Sequence, residues 1–449
     1  QATTGVGSIT FESGAVVTPI VPTGLPEGAT IEFLTANALF GGANVVNPNV
    51  TGDNVPFVYN MAITLTDPGA LNGAANGLQA TFGFKNAAQL GLNTNQEIAF
   101  DPIIDALRLD AAAAAAFTGL DNQAAFGDAY EDLMPSFASA AAELAATAIQ
   151  QAQGASGNRL AATRLQGIDD VSIWAQEIGY AVTRTPPTLN GQEFSGHGFG
   201  IAVGIDGPLN NGGLFGLSAS MITSEVEEEG RPDGEISATF GQVGAYLGTA
   251  MGPVDLDFVA GLGAGQMSSQ RVVRIGDDFE AQSDAEWWAY EGHGMMRASV
   301  PLAMGNSFVI TPQAALTYVF LSEDGYTEEG GGAAIDYEVD STTSQRLWGD
   351  AGVEFSARMR MGGETVVAPR LFVGYRANII DEEAERSFRF VSGGDEFTLT
   401  DEGFGDGGAL VGIGVDATNG YSTFAIGYEG EFGDQIERHS VNASVRFRF

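Results

Sequence analysis

The chain has 449 residues, no cysteine, 62 glycines and a net charge of −38. The missing thiols exclude disulfides, thiolate metal sites and cysteine nucleophiles together, and the acidic balance excludes nucleic acid as a partner, because a phosphate backbone needs a basic face. No run approaches the ~18 to 20 consecutive apolar residues of a membrane helix, and the opening QATTGVGSIT lacks the basic-then-apolar pattern of a signal peptide.

Residues 1–100 are rich in Gly, Thr, Asn and Val, with strand-like runs (SITF, TIEFLT, FVYNMAITLT, LQATFGF) between turn signals. They read as irregular stacked strands or the edge of a β-solenoid. Over 101–170 the texture changes to helix. The run Ala111–Ala116 and the segment Phe137–Gln153 consist of strong helix formers. Pro135 and Ser136 mark the start of the second helix, and Gly154–Ala155–Ser156–Gly157 marks a fraying end. That helix is small-residued nearly all round, with Glu143 as its one acid over 137–153, so it lacks the wide apolar stripe of a core helix. It suits either a narrow polar conduit or a spacer between domains.

From 171 onward, strands take over. In the last one, Val441, Ala443, Val445, Phe447 and Phe449 share one face, while Ser440, Asn442, Ser444, Arg446 and Arg448 share the other. Phe199, Ile201, Val203 and Ile205 repeat the pattern against Gly200, Ala202, Gly204 and Asp206. So do Val367, Leu371, Val373 and Tyr375 against Arg370, Gly374 and Arg376. A soluble sandwich can alternate this way for a few strands; a barrel with lipid outside and water inside does it for all. Closure is also the one way a sheet satisfies its backbone in hydrocarbon.

Twelve strands are expected, at 172–184, 195–206, 213–225, 237–250, 253–271, 282–300, 306–321, 341–361, 364–379, 405–418, 420–432 and 436–449, with the faces of the first and fourth ambiguous. Short turns at 250–252, 301–305, 361–363 and 418–420 alternate with acidic loops around Glu229, Asp278, Asp324 and Glu383. Short turns belong on the periplasmic side and long loops outside. The preceding helix then either starts in the periplasm or threads the lumen from outside, and strand parity does not decide which.

Taken in this order, the chain resembles a classical (type V) autotransporter: a C-terminal translocator β-barrel with the end of its passenger. The features that carry the resemblance are the terminal Phe447 and Phe449, which look like the signal read by the barrel-assembly machinery, the strand entry IDDVSIWAQEIGYAV followed by FSGHGFGIAVGID, and the helical prelude FKNAAQLGLNTNQEIAFDPIIDAL with DNQAAFGDAYEDLMP. The resemblance implies a mainly β fold, a twelve-stranded antiparallel transmembrane barrel with a lumenal helix, preceded by a β-helix-like passenger end. It divides the chain into a passenger end (1–100), a linker and plugging helix (101–170) and an outer-membrane barrel (171–449). It also implies an outer-membrane location with the N-terminal region at the cell surface. The implied partners are outer-membrane lipid and lipopolysaccharide, the barrel-assembly machinery and periplasmic chaperones, and the barrel is expected to be monomeric. The true N-terminus is expected to lie upstream, and any effector activity with it.

Nine of the eighteen arginines are expected on the lumen face: Arg297, Arg346, Arg358, Arg360, Arg370, Arg376, Arg438, Arg446 and Arg448. They would bond the helix or a passing chain, or neutralise Glu291, Asp350, Glu354, Glu429 and Glu431. Some relatives cut their own passenger with lumenal acids and a helix asparagine. Asn158, Glu291, Asp350 and Glu354 are the candidates here, but no matching motif surrounds Asn158, so a retained passenger and no enzyme are expected. The scattered His197, His293 and His439 lack ligand spacing, so neither metal nor cofactor is expected. Two other functions remain open: a diffusion porin, which needs no plug, and a surface adhesin that binds through residues 1–100 and the acidic loops.

Overall fold

A computed structural model describes residues 8–10, 28, 30–35, 38–40, 55–65, 77–135, 138–166, 170–187, 193–210, 212–229, 234–362, 365–381, 384–401, 403 and 405–449. Among the described residues, twelve long strands follow one another as antiparallel neighbours. They are β1 (Ser172–Arg184), β2 (Phe194–Pro208), β3 (Leu214–Glu228), β4 (Glu235–Met251), β5 (Val254–Ile275) and β6 (Phe279–Ser299). The second half comprises β7 (Phe308–Glu323), β8 (Thr342–Ala357), β9 (Val366–Asp381), β10 (Gly407–Thr418), β11 (Ser422–Gly433) and β12 (Ile436–Arg448). The sheet closes where β12 pairs with β1, from Ile436 opposite Arg184 to Arg448 opposite Ser172. No edge is left unpaired, which is what a sheet in hydrocarbon requires.

Period-2 alternation sorts the side chains. Phe199, Leu217, Met221, Val243, Leu262, Met296, Leu371, Val373, Ile413 and Ile426 all point outward and are exposed. The interior holds Arg297, Arg346, Arg370, Arg376, Arg438 and Arg446, several acids and the small residues. Close packing explains some inward glycines: a Cβ at Gly216 would lie 2.2 Å from the Tyr246 ring, and one at Gly204 would lie 2.5 Å from Trp174. The two strands with ambiguous faces resolve in the same way. Trp174, Ile178, Tyr180 and Val182 of β1 and Ile236, Phe240 and Tyr246 of β4 face inward and are buried. They are apolar because a helix, not water, fills that half of the barrel.

One end of the barrel carries the tight turns, and the other carries most of the elaboration. At the loop end, short strands Tyr326–Thr327, Tyr337–Val339, Ala384–Phe390 and Phe397–Asp401 form a separate four-stranded sheet. One expectation is corrected here. Asp277 and Asp278 do not lie in a long loop; they sit in a three-residue turn capping the long β5–β6 hairpin.

Four helices, α1 (Ala87–Leu90), α2 (Thr94–Leu107), α3 (Ala111–Thr118) and α4 (Gln123–Leu133), sit on the loop end. Each starts at a side-chain cap, with Asn86–Gln89 and Asn93–Gln96 forming reciprocal capping boxes. The strands Thr30–Thr35, Gly77–Phe84 and Tyr59–Leu65 join them as a three-stranded antiparallel sheet. These three strands are antiparallel, whereas Ser8–Thr10 pairs in parallel with Ala38–Phe40. The expected boundary at residue 100 falls inside α2. Phe82, Ile103, Leu107, Phe117, Phe126 and Tyr130 share one core with Val273, Tyr337, Phe388 and Phe397 of the barrel's loop end. The cap is therefore tied to the barrel. Arg271 donates to Glu328 (2.5 Å) and Asp132 O (3.2 Å), Tyr337 Oη donates to Leu133 O (2.9 Å), and Asn95 donates to Thr400 O (2.8 Å).

The fifth helix, α5 (Ala138–Gln166), runs through the lumen. It continues through Gly154–Ala155–Ser156–Gly157, where the sequence suggested fraying. Arg297 Nη2 donates to Gly157 O at 2.9 Å, so barrel contacts hold the segment that has little intrinsic helix propensity. At ~1.5 Å per residue, its 29 residues span about 43 Å, longer than the ~25 Å apolar band of such barrels.

Candidate functional site: the occupied lumen

The helix fills the lumen asymmetrically. Ala145, Ala148, Ala152 and Ala155 pack with Ala202, Ile222, Ala238, Phe240 and Val259 of the β2–β5 wall. Ser156 bonds Ser218 at 3.1 Å. Small residues on both partners bring the backbones close.

The opposite helix face is polar and meets β8–β12. Glu143, Thr147 and Gln150 recur at spacings of four and three, so they form one stripe. Glu143 is fully buried. It accepts from Arg438, from Arg346 at 2.7 Å and from Thr147 at 2.8 Å. Gln150 accepts from Arg376 (3.1 Å) and Arg438 (3.2 Å). Arg376 also pairs with Asp350 at 2.8 Å and Glu431 at 2.7 Å, while Arg438 pairs with Glu431. Three guanidinium groups thus meet three carboxylates. Removing one acid would leave buried cations short of charge.

A second latch lies sixteen residues along the helix. Arg159 grips Asp206 through two bonds of 2.6 Å, with both side chains buried, and Tyr246 donates to the same carboxylate at 2.8 Å. The fork-to-carboxylate geometry fixes direction as well as contact. Arg346 and Arg438 stand near the loop end of their strands, and Asp206 near the turn end of β2. The helix N-terminus therefore points to the loop end and its C-terminus to the turn end. The question that parity left open is decided: the chain enters the lumen from the loop end.

Between the helix and the β8–β12 wall remains a cavity of about 220 Å³, lined by Gln150, Asn158, Arg370, Glu354 and Glu429 among others. Among the expected arginines, Arg346, Arg376 and Arg438 hold the helix through side-chain bonds. Arg297 holds it through Gly157 O and pairs with Asp257 at 2.7 Å. Arg370 lines the cavity, Arg446 is buried and bonds Thr423 at 2.8 Å, and Arg448 is half-buried at the turn end. Arg358 and Arg360 are corrected. They lie exposed beyond the end of β8, where Met359–Arg360 pairs with Val366–Val367 instead of lining the lumen.

Asn158 donates to Glu429 at 3.3 Å. It shares the cavity with Asp350 and Glu354, whereas Glu291 lies away from that cavity and meets His293 at 2.9 Å. Phe447 and Phe449 are exposed on the outer face, and Phe449 N donates to Val171 O at 3.1 Å. Among the described residues no cluster of three His, Asp or Glu side chains has metal-site geometry. The sequence reading missed Glu143, Arg159 and Asp206 as the plug's anchors. A lone acid on an otherwise small-residued helix was the available signal for Glu143.

These features define a transmembrane β-barrel occupied by a helix of its own chain, entered from the loop end and held by buried ion pairs. The family model of the autotransporter β-domain matches residues 173–431. An extracellular serine protease of Serratia marcescens is 23% identical over 308 residues, covering 68% of this chain and 28% of that protein, so the chain spans little more than a quarter of this relative. The translocator domain of the autotransporter NalP from Neisseria meningitidis is 19% identical with a TM-score of 0.48, covering 68% of this chain and 97% of that structure. The β domain of the Bordetella autotransporter BrkA is 18% identical with a TM-score of 0.44, covering 63% of this chain and 100% of that structure. The chain belongs to the autotransporter β-domain family. Membership makes it an outer-membrane β-barrel of the translocator class.

Proposed function

We propose that export leaves α5 in the lumen as a plug, with the cap and everything N-terminal to it displayed at the cell surface and retained there. The polarity of α5 carries this reading: its N-terminal half is fastened by Glu143 to Arg346 and Arg438, toward the loop end, where the cap also sits. Long loops face outward in bacterial barrels, so the cap lies outside. Retention is favoured over self-cleavage because Asn158 is engaged by Glu429, and the candidate acids Asp350 and Glu291 are engaged by Arg376 and His293. Outer-membrane lipid and lipopolysaccharide surround the barrel. The exposed C-terminal Phe447 and Phe449 are the segment offered to the assembly machinery and its chaperones.

External protease on intact cells tests this. The expected product loses cap residues while Ala138–Gln166 stays protected with the barrel. Full protection of the cap, or a barrel fraction already lacking it before protease is added, overturns the reading.

A further inference from the structure

The packing of α5 changes partway along its length. From Ala140 to Ile149 every residue is buried, whichever way it points. Beyond that, Gln150, Gln151, Gly154, Asn158, Ala161 and Ala162 are half-buried. At ~100° per residue these positions fall within an arc of about 120°, so one stripe of the helix is open while the rest stays packed.

The facing wall changes at the same level. Along β7, which runs from the turn end to the loop end, the inward Val309, Thr311, Gln313 and Ala315 are half-buried, whereas Thr317, Val319 and Leu321 are buried. On β9, Arg370, Phe372 and Gly374 are half-buried and Arg376 is buried. On β11 the inward Glu429 is exposed and Glu431 is buried. The space between helix and wall thus extends inward from the turn end and stops at the layer where Glu143, Glu431, Arg376 and Arg438 meet.

The groups along this space call for solvent. The cavity of about 220 Å³ adjoins a smaller one of about 40 Å³, and Asn158, Gln176, Arg370 and Asn442 line both. About 10 to 15 Å³ is enough for one water. Asp416 lines the smaller cavity and is 2% exposed, yet neither carboxylate oxygen meets a hydrogen-bond donor among the described residues. Glu354 and Arg370, which line the larger cavity, form no ion pair among the described residues. Charged groups without a protein partner are too costly to leave dry, and ordered water is what satisfies them.

We propose that α5 leaves an aqueous half-channel along β7–β11, open to the periplasm and ending at the Glu143 layer, through which water and small ions reach the middle of the lumen. The inference rests on the plugged-lumen reading and refines it. The packed stretch Ala140–Ile149, about 15 Å long at ~1.5 Å per residue, is the part of the helix that seals; the remainder stands beside a wet passage.

The chain has no cysteine, so single thiols report access in the full chain reconstituted in sealed liposomes. Ala161→Cys and Ala315→Cys place thiols in the half-channel, and Ala145→Cys places one in the packed stretch. A charged, membrane-impermeant methanethiosulfonate is added outside. External protease then cuts the cap of barrels whose loop end faces out, so the two orientations separate by size. Charged probes do not enter dry packing, so in barrels with the turn end outward Ala161→Cys and Ala315→Cys should react about tenfold or more faster than Ala145→Cys. In barrels with the loop end outward all three should stay unmodified. Heat-modifiable migration on gels confirms that each variant is folded. Slow reaction at either half-channel position with the turn end outward, or equal reaction from both sides, overturns the half-channel and leaves the plug standing. Fast reaction at Ala145→Cys as well would remove the plug, and the half-channel with it.

Discussion

Glu143→Ala is the perturbation that bears hardest on the plug. The carboxylate is fully buried and bound by Arg438, Arg346 and Thr147. Truncation leaves two guanidinium groups facing a helix that no longer neutralises them. Breaking a buried pair from one side costs ~3 to 5 kcal/mol. Arg438 keeps Glu431, and the Arg346 side chain is 15% exposed, so the low end applies, about 3 kcal/mol. At ~1.4 kcal/mol per decade, the helix should leave its seat about 100-fold more often. Single-channel recording of the purified full chain reads this as more frequent openings. Glu143→Gln keeps the length and a polar contact for Thr147, and should fall between the two. Unchanged opening frequency in Glu143→Ala would show that the ion pairs do not hold the plug.

Two further outcomes concern the cap. Arg271→Ala should strand the buried Glu328 at a cost of about 3 to 5 kcal/mol and remove the side-chain bond to Asp132 O that reaches the cap; hydrogen exchange across α1–α4 should accelerate while the barrel strands stay protected. Burial, followed by the nearby Tyr337, Asp101 and Glu131, holds the Tyr130 phenol well above its usual range. The group whose folded pKa is raised stabilises fully below the unfolded value of ~10 and loses that contribution as pH climbs above it. Cap protection should therefore decline above about pH 10, and Tyr130→Phe should blunt the decline; a wild-type cap unaffected through that range contradicts the assignment.

The barrel was legible because its physics is periodic. Phe199 to Ile205 and Val441 to Phe449 alternate with inward partners, and lipid outside forces the same rule on strand after strand. Legibility failed where something other than water filled the lumen. Ile178, Phe240 and Tyr246 face inward yet are apolar because the alanines of α5 lie against that wall, so β1 and β4 carry large apolar side chains on the lumen side and break the rule that the other strands follow. The length of α5 was hidden for a related reason. Gly154 and Gly157 weaken local propensity, and the bond from Arg297 that helps hold that stretch comes from a strand 140 residues away. Asn86-x-x-Gln89 and Asn93-x-x-Gln96 did announce helix starts in the primary sequence, and would have moved the domain boundary ahead of residue 100. The grip of Arg159 on Asp206 spans 47 residues and follows only from the closed barrel.

The most direct test of the central claim is ion conductance in a planar bilayer, comparing the full chain with a chain beginning at Gln166. The expected result is a nearly silent full chain and a conducting truncation, because removing Ala138–Leu165 empties the lumen that the helix fills. Equal conductance from both would mean that the helix does not occlude the pore, and the diffusion-porin reading would replace the plugged translocator.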